Sequence, residues 1–159
     1  MVEGGVRFPS PLQKCCNLFG SFKYFTYVCK NNLQMEIFIK GNAPSSKNGR
    51  VWTGRYFIES KRVIKYRRET KEEFLKNKEI FLEMVKDKPK PYLIGFHFVR
   101  SNKHKFDFIN MLQVIQDQMV ELGYIDDDNC DEILPFPYMK EGVYYSVDKI
   151  NTGTFIKVL

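Results

Sequence analysis

Residues 92–99, with the sequence YLIGFHFV, are the strongest strand signal in the chain and constrain its fold more than any other segment. The run is almost entirely apolar, which is typical of a strand covered on both faces in the middle of a sheet. Pro89 and Pro91 precede it, and a basic loop at 100–105 follows it. His97 lies within this apolar run, and we expect a packed core residue there rather than a general base.

Two helices are predicted, one before and one after this strand. Ser60 has the side chain of an N-cap for a long helix that runs to about residue 86. The second helix is expected at 110–122, and Gly123 suits the left-handed position that often follows a helix. Each helix carries apolar residues at helical spacing, so each should pack one face on a sheet.

The remaining strand candidates complete a mixed sheet. Pro135 and Pro137 lie within one of them and should push it to a sheet edge, because proline cannot donate a ladder hydrogen bond. The predicted fold is therefore α+β (mixed α/β), with a mixed sheet flanked by two main helices in a single domain at 35–159. The other strands are expected at 35–40, at 51–58 (a strand or a hairpin), at 133–139, at 143–147 and at 154–158.

Residues 1–34 differ from the rest of the chain. They contain Cys15, Cys16 and Cys29 and show no clear helical or strand period. We interpret them as a loosely attached N-terminal extension, or as a stretch upstream of a true start at Met35. Together with Cys130 these are four cysteines without a C-x-x-C pair, which argues against a zinc site and favours reduced thiols in the cytosol.

The basic character of the chain suits a polyanionic partner. The formal net charge is +6, and Lys and Arg side chains attract phosphates and release their counterions. A solvated helix face or an ordinary surface loop would explain the same residues without a ligand. The candidate DNA contacts are Lys47 and Asn48 in the Pro-Ser loop at 41–50, Lys61, Arg62 and Lys65 in the first helix, and Arg100, Lys103 and Lys105 in the basic loop.

Acidic residues lie at both ends of the second helix. Asp107 precedes it, and Asp127 and Asp128 follow it. From residue types alone, Asp107 is expected to cap the helix and the acidic pair to form a solvated turn. Only a chain that folds back could bring the two ends together, so their spacing does not by itself predict a shared site.

The segment KFDFINMLQVIQDQMVELGYIDDDN nevertheless resembles the core of the RusA family of Holliday-junction resolvases. That family carries an Asp-x-Asp-Asn element, a helix, and then Gly-x-x-x-Asp-Asp. Asp107 and Asn110 match the first element, while Gly123 and the pair Asp127 and Asp128 match the second without insertion. The segment IFIKGNAPSSKNGR is also similar to the opening strand and Pro-Ser loop of the family, and the resemblance covers 35–159.

The resemblance implies a homodimeric endodeoxyribonuclease that resolves four-way DNA junctions in recombination and repair, in the cytoplasm of a bacterial host and of phage or prophage type. It implies Mg²⁺, which Mn²⁺ can replace, held by Asp107 and Asp128. Asp127 would take part in catalysis, with Asn110 and Gln113 as supporting residues. Mg²⁺ is commonly held by one or two carboxylates together with waters and substrate phosphates, which suits this assignment.

Two positions depart from the family pattern. Ile109 stands where the second Asp is expected, and Gln113 stands where a functional Lys is expected. Two alternatives therefore stay open beside each other: a divergent active nuclease, or a branched-DNA-binding protein that has lost turnover. A third interpretation is an interaction protein whose basic face binds an acidic protein.

Overall fold

The computed structural model describes residues 35–46 and 50–159. Residues 1–34 and 47–49 lie outside the described residues. The predictions for an N-terminal extension and for DNA contacts by Lys47 and Asn48 fall there, and they stay predictions.

The described residues form the predicted α+β fold. Two helices accompany a five-stranded mixed sheet and a separate two-stranded hairpin. The elements, in chain order, are β1 (Glu36–Lys40), β2 (Arg50–Trp52), β3 (Phe57–Glu59), α1 (Lys61–Val85), β4 (Tyr92–Arg100), α2 (Phe108–Glu121), β5 (Ile133–Pro137), β6 (Tyr145–Val147) and β7 (Gly153–Val158).

Strand β4 lies inside the sheet, as its apolar run predicts. On one side it pairs antiparallel with β7, which in turn pairs with β1. On the other side it pairs in parallel with β5 along its first half and with β6 at its end. Since β5 runs parallel to β4, the intervening α2 must return along the sheet in the opposite direction. The segment β4–α2–β5 is therefore a βαβ unit, with α2 beginning near the carboxyl end of β4.

One face of the sheet packs against both helices. Ile94, Phe96 and Phe98 alternate along β4 and belong to the core that Phe81 of α1 and Ile115 of α2 also enter. The Ser60 side chain accepts a hydrogen bond from the Val63 N–H at 3.4 Å, so the predicted N-cap of α1 is confirmed. Within the described residues, no helix is both long and apolar enough to cross a membrane.

The end of α2 follows the prediction, whereas its start does not. Gly123 adopts a φ of 70°, which glycine tolerates best, and the Tyr124 N–H donates to the Met119 carbonyl oxygen at 2.8 Å. The helix begins at Phe108 rather than at residue 110. Asp107 is the N-cap, as its residue type predicts, so helical geometry starts at the next residue, two positions before the predicted bound.

The opposite face of the sheet carries His97, which is 1% exposed and thus confirmed as a packed residue. Its Nε2 lies 3.1 Å from the Ser146 hydroxyl.

Strand β5 is an edge strand, as its two prolines predict. The last strands differ slightly from the expected bounds, because the chain turns back at Glu141 and Gly142, both with positive φ, before β6 starts at Tyr145.

Candidate nucleic-acid interface

A cleft of about 770 Å³ lies at the carboxyl end of β4. Its walls come from three separate parts of the chain: the loop after β1, the first turns of α1, and the segment from the end of β4 to the first turn of α2. In α/β sheets, ligands commonly bind outside the carboxyl ends of the parallel strands, where helix N-termini also point. The βαβ unit therefore positions this cleft where ligand sites usually form.

Positive charge dominates the cleft. Of the predicted DNA contacts, Arg62, Lys65, Arg100 and Lys105 all line it. Lys40, at the end of β1, lines it too and was missed by the sequence analysis, because nothing in a strand-end lysine indicates which groups lie across from it. Lys61 and Lys103 are exposed but are not among the lining residues. The five lining cations face two carboxylates, those of Asp107 and Glu69.

Asp107 reaches the cleft from the N-cap position of α2. One carboxylate oxygen accepts the Ile109 N–H at 3.1 Å, and the other accepts the Asn110 side-chain N–H at 2.8 Å. The capping role expected from residue types is therefore confirmed. The carboxylate also remains exposed at the cleft wall, so it can contact a ligand while it caps the helix.

Asn110 and Gln113 fasten the loop after β1 to α2. The Ser46 N–H donates to the Asn110 carbonyl oxygen, and the Ser46 hydroxyl donates to Gln113 Oε1, both at 2.7 Å. At the other end of the loop, the Gly41 N–H donates to the Thr152 carbonyl oxygen at 2.9 Å. These contacts give the predicted supporting residues a structural role: they hold the wall of the cleft that faces Asp107.

Gly41 is required where the loop leaves β1. Its φ is 142°, a conformation that other residues rarely adopt, and a Cβ there would lie 2.7 Å from Thr70 Cγ2 and 3.1 Å from Tyr66 Cε2. The backbone thus passes directly over two α1 side chains. This close approach keeps the loop against α1 and sets one boundary of the cleft.

Arg100 is held in position on the opposite wall. Its guanidinium carbon lies 4.3 Å from the centre of the Phe106 ring, a cation–π distance. Its Nη1 also donates to the His104 carbonyl oxygen. The charge is therefore presented at the end of β4 by a side chain with little freedom, which favours binding of a fixed anionic group.

Arg67 differs from its neighbours in the basic part of α1. It forms ion pairs with Glu59 and Asp117 at 3.1 Å and with Glu121 at 3.3 Å. Three carboxylates compensate its charge, so Arg67 joins β3 and α2 to α1 instead of contributing to the cleft.

The acidic turn lies at the other end of α2. Lys90, just before β4, donates to Asp126 Oδ2 at 2.7 Å, which fixes the turn near the amino end of β4. Hydrogen bonds from the Asn129 side chain at 2.7 Å and from the Asp128 N–H at 2.8 Å lower the pKa of Asp127. Asp127 and Asp128 are both exposed, and neither lines the cleft.

One chain does not bring Asp107 and Asp128 together. Helix α2 has 14 residues and is about 21 Å long at the normal rise of a helix, and the two acids lie beyond its opposite ends. The part of the chain that the structure describes contains no cluster of three or more His, Cys, Asp or Glu side chains suited to a metal ion. Within one chain, Asp107 and Asp128 therefore do not hold an ion together.

Glu69 is the second acid of the cleft and was not predicted. It lies within α1, 3.8 Å from Lys65, and a single Glu in a charged helix gives no signal in the sequence.

No family model matches the chain, and a search of the curated proteins finds no match either. The resemblance to the RusA family accordingly rests on the two sequence segments that carry it.

Proposed function

We propose that this protein is a Mg²⁺-dependent endodeoxyribonuclease that acts on four-way junctions and related branched DNA, in the cytoplasm of a bacterial host. One observation carries the proposal: the carboxylate of Asp107 stands among five basic side chains at the carboxyl end of β4. A nuclease needs this combination, because the cations bind the phosphate backbone while a carboxylate can hold a divalent ion beside it.

The first step is binding of the DNA backbone. Arg62 and Lys65 of α1 and Lys105 of the loop before α2 line the cleft from two parts of the chain, so they can contact successive phosphates rather than a single one. Phosphate contacts of this kind position the strand without reading its sequence.

The site of one chain supplies only part of the ligand set of a Mg²⁺ ion. The ion often binds through a single carboxylate plus waters and phosphate oxygens, and Asp107 would supply that carboxylate, oriented by the Asn110 side chain at 2.8 Å. When bound, such an ion activates water and neutralises charge on the phosphate. Arg100 and Lys105 are positioned to stabilise the negative charge that develops as the phosphodiester bond breaks.

The proposal is tested with a labelled four-way junction and a linear duplex of the same sequence. Wild type should bind the junction more tightly and cut it when Mg²⁺ is present but not when a chelator is added. Asp107→Asn should lose cutting and keep binding, because the amide still caps α2 but is a poor Mg²⁺ ligand. Asp87→Asn, an exposed acid beyond the end of α1, is the matched control and should cut like wild type. Equal cutting by wild type and Asp107→Asn would remove Asp107 from the site.

A second candidate function is binding of branched DNA without turnover. It is favoured by Gln113, whose side-chain oxygen is committed to Ser46 at the position where the resemblance implies a lysine. Ile109, which is 63% exposed beside Asp107, supports it further, because an acid is expected there. Tight junction binding with no Mg²⁺-dependent product from wild type would select this alternative.

A further inference from the structure

We propose that Tyr145 is a stacking site for an unpaired DNA base, and that the basic cleft beside it holds the phosphates of the same strand. The inference rests on the proposed function, since it names the part of a branched DNA that this cleft selects. Two contacts carry it, and they lead from Arg100 in the wall of the cleft through Phe106 to the exposed ring of Tyr145.

Phe106 links the cleft to Tyr145. It lines the cleft, and the Arg100 guanidinium carbon lies 4.3 Å from the centre of its ring. The Tyr145 ring meets the Phe106 ring edge to face, with centroids 5.1 Å apart and an interplanar angle of 83°. The aromatic surface of Tyr145 therefore begins where the positively charged wall of the cleft ends.

Tyr145 is held in place on its inner side and remains accessible. It pairs with Phe98 of β4, a core residue whose ring centroid lies 6.2 Å from that of Phe106. Within the described residues β6 pairs only with β4, and 39% of Tyr145 stays exposed. Val147, two residues further along β6, is 37% exposed on the same face and extends the apolar surface. A ring that is already fixed loses little conformational freedom when a ligand stacks on it.

An aromatic surface next to a basic cleft suits an unpaired nucleotide. Proteins that bind single-stranded DNA combine a positively charged groove for the backbone with aromatic side chains on which bases stack. In a duplex both faces of a base are covered by its neighbours, so only a base at a branch point, a gap or a bulge can offer a free face. Because a single sugar joins each base to its phosphate, a strand whose phosphates contact Arg100 can place a nearby base on Tyr145. The surface therefore favours DNA with an unpaired base over fully paired DNA.

Binding measurements in the presence of a chelator test the stacking site without any cleavage. An end-labelled duplex with a single unpaired 5-iodouracil is compared, by fluorescence anisotropy, with the fully paired duplex of the same sequence. Wild type should bind the duplex with the unpaired base more tightly. Tyr145→Leu should bind that duplex roughly tenfold more weakly, because stacking of a base on an aromatic ring contributes to affinity, and should bind the paired duplex as wild type does. Tyr145→Phe keeps the ring and should behave like wild type.

Tyr144→Leu is the matched control. Tyr144 precedes Tyr145 and is 58% exposed, but among the described residues the ring contacts of Phe106 are with Phe98 and Tyr145 and not with Tyr144. This variant should keep the wild-type preference, and thermal melting checks that Tyr145→Leu is folded. Irradiation of the wild-type complex should crosslink the unpaired 5-iodouracil to Tyr145, which mass spectrometry locates without any substitution.

Equal binding of the two duplexes by wild type, a preference that survives in Tyr145→Leu, or crosslinks only to other residues would overturn the stacking site. These outcomes leave the proposed function standing if a four-way junction is still cut when Mg²⁺ is added. If the preference and the crosslink depend on Tyr145 but no junction is cut, the inference holds and the proposed cleavage fails.

Discussion

The Ser46 hydroxyl donates a hydrogen bond to Gln113 Oε1 across 2.7 Å, although the two residues are 67 positions apart in the sequence. The bond joins the loop after β1 to the first turns of α2. It fixes the distance between two walls of the basic cleft, so the loop and Asp107 face each other in a defined geometry. Gln113 is thereby part of the scaffold of the cleft.

Gln113→Ala should weaken junction binding while leaving the fold unchanged. An exposed hydrogen bond of this kind contributes about 0.5–1.5 kcal/mol, so the loss should raise the dissociation constant several-fold by loosening the loop. Fluorescence anisotropy with a labelled junction measures the effect, and thermal melting serves as the control for the fold. Gln113→Glu keeps the acceptor for Ser46 but adds a negative charge. If binding weakens in Gln113→Ala and not in Gln113→Glu, the loosened loop is the cause rather than a change of charge.

Arg62→Ala and Lys105→Ala should make binding less sensitive to salt. Each phosphate contact that is lost lowers the slope of log K against log salt by about 0.9, and both residues line the cleft. Lys88→Ala removes an exposed cation outside the cleft and is the matched control. Anisotropy titrations at several salt concentrations give the slopes, and identical slopes for all three variants would show that the backbone binds elsewhere.

Local chemistry made most of the fold predictable. The apolar run of β4, the Ser60 N-cap and Gly123 each depend on neighbours within a few residues, and the structure has all three where the sequence predicts them. The cleft depends instead on residues such as Lys40 and Glu69, which only the packing of β1 and α1 brings to Asp107. No pattern along the chain encodes that juxtaposition.

The same limit applies to the acidic residues. Motif spacing identifies Asp107 and Asp128 as candidates, and the helix predicted between them already separates them along the chain. The parallel pairing of β4 with β5 adds that the turn after α2 lies near the start of β4, away from Asp107.

Gly153→Ala should destabilise the protein. A Cβ at this position would lie 2.2 Å from Phe38 Cζ and 2.7 Å from the Ile39 carbonyl oxygen, and the backbone atom cannot move without disturbing the pairing of β1 with β7. Overpacking of this kind typically costs about 1–3 kcal/mol. Urea denaturation should show a lower midpoint with an unchanged slope. A midpoint equal to that of wild type would mean that β1 relaxes freely at this point.

His97 should make stability depend on pH in the mildly acidic range. Burial lowers its pKa below the ordinary value of 6.5, so the folded chain holds the ring neutral where the unfolded chain binds a proton. The contribution to the free energy of unfolding is therefore fully present above pH 6.5 and is lost as the pH falls below that value. Denaturant titrations between about pH 7.5 and about pH 5.5 measure it.

Replacing His97 with Gln should flatten that dependence, whatever the substitution does to stability at neutral pH. His104→Gln is the control, because His104 is exposed and its replacement should leave the dependence as in wild type. Equal pH dependence in the wild type and the His97→Gln variant would assign the effect to other groups.

Ile109→Asp should reduce the Mg²⁺ requirement of junction cleavage, because it adds the acid that the resemblance implies. Ile109 is 63% exposed in the first turn of α2, next to the carboxylate of Asp107, so an Asp side chain there needs no repacking. Negative charge near a helix N-terminus is also stabilising, typically by about 0.3–1 kcal/mol. Two adjacent carboxylates should bind Mg²⁺ more tightly than one, and the Mg²⁺ concentration for half-maximal junction cleavage should fall. Asn has nearly the same shape as Asp but no charge, so Ile109→Asn should behave like wild type. Equal Mg²⁺ dependence of Ile109→Asp and Ile109→Asn would show that position 109 does not face the ion.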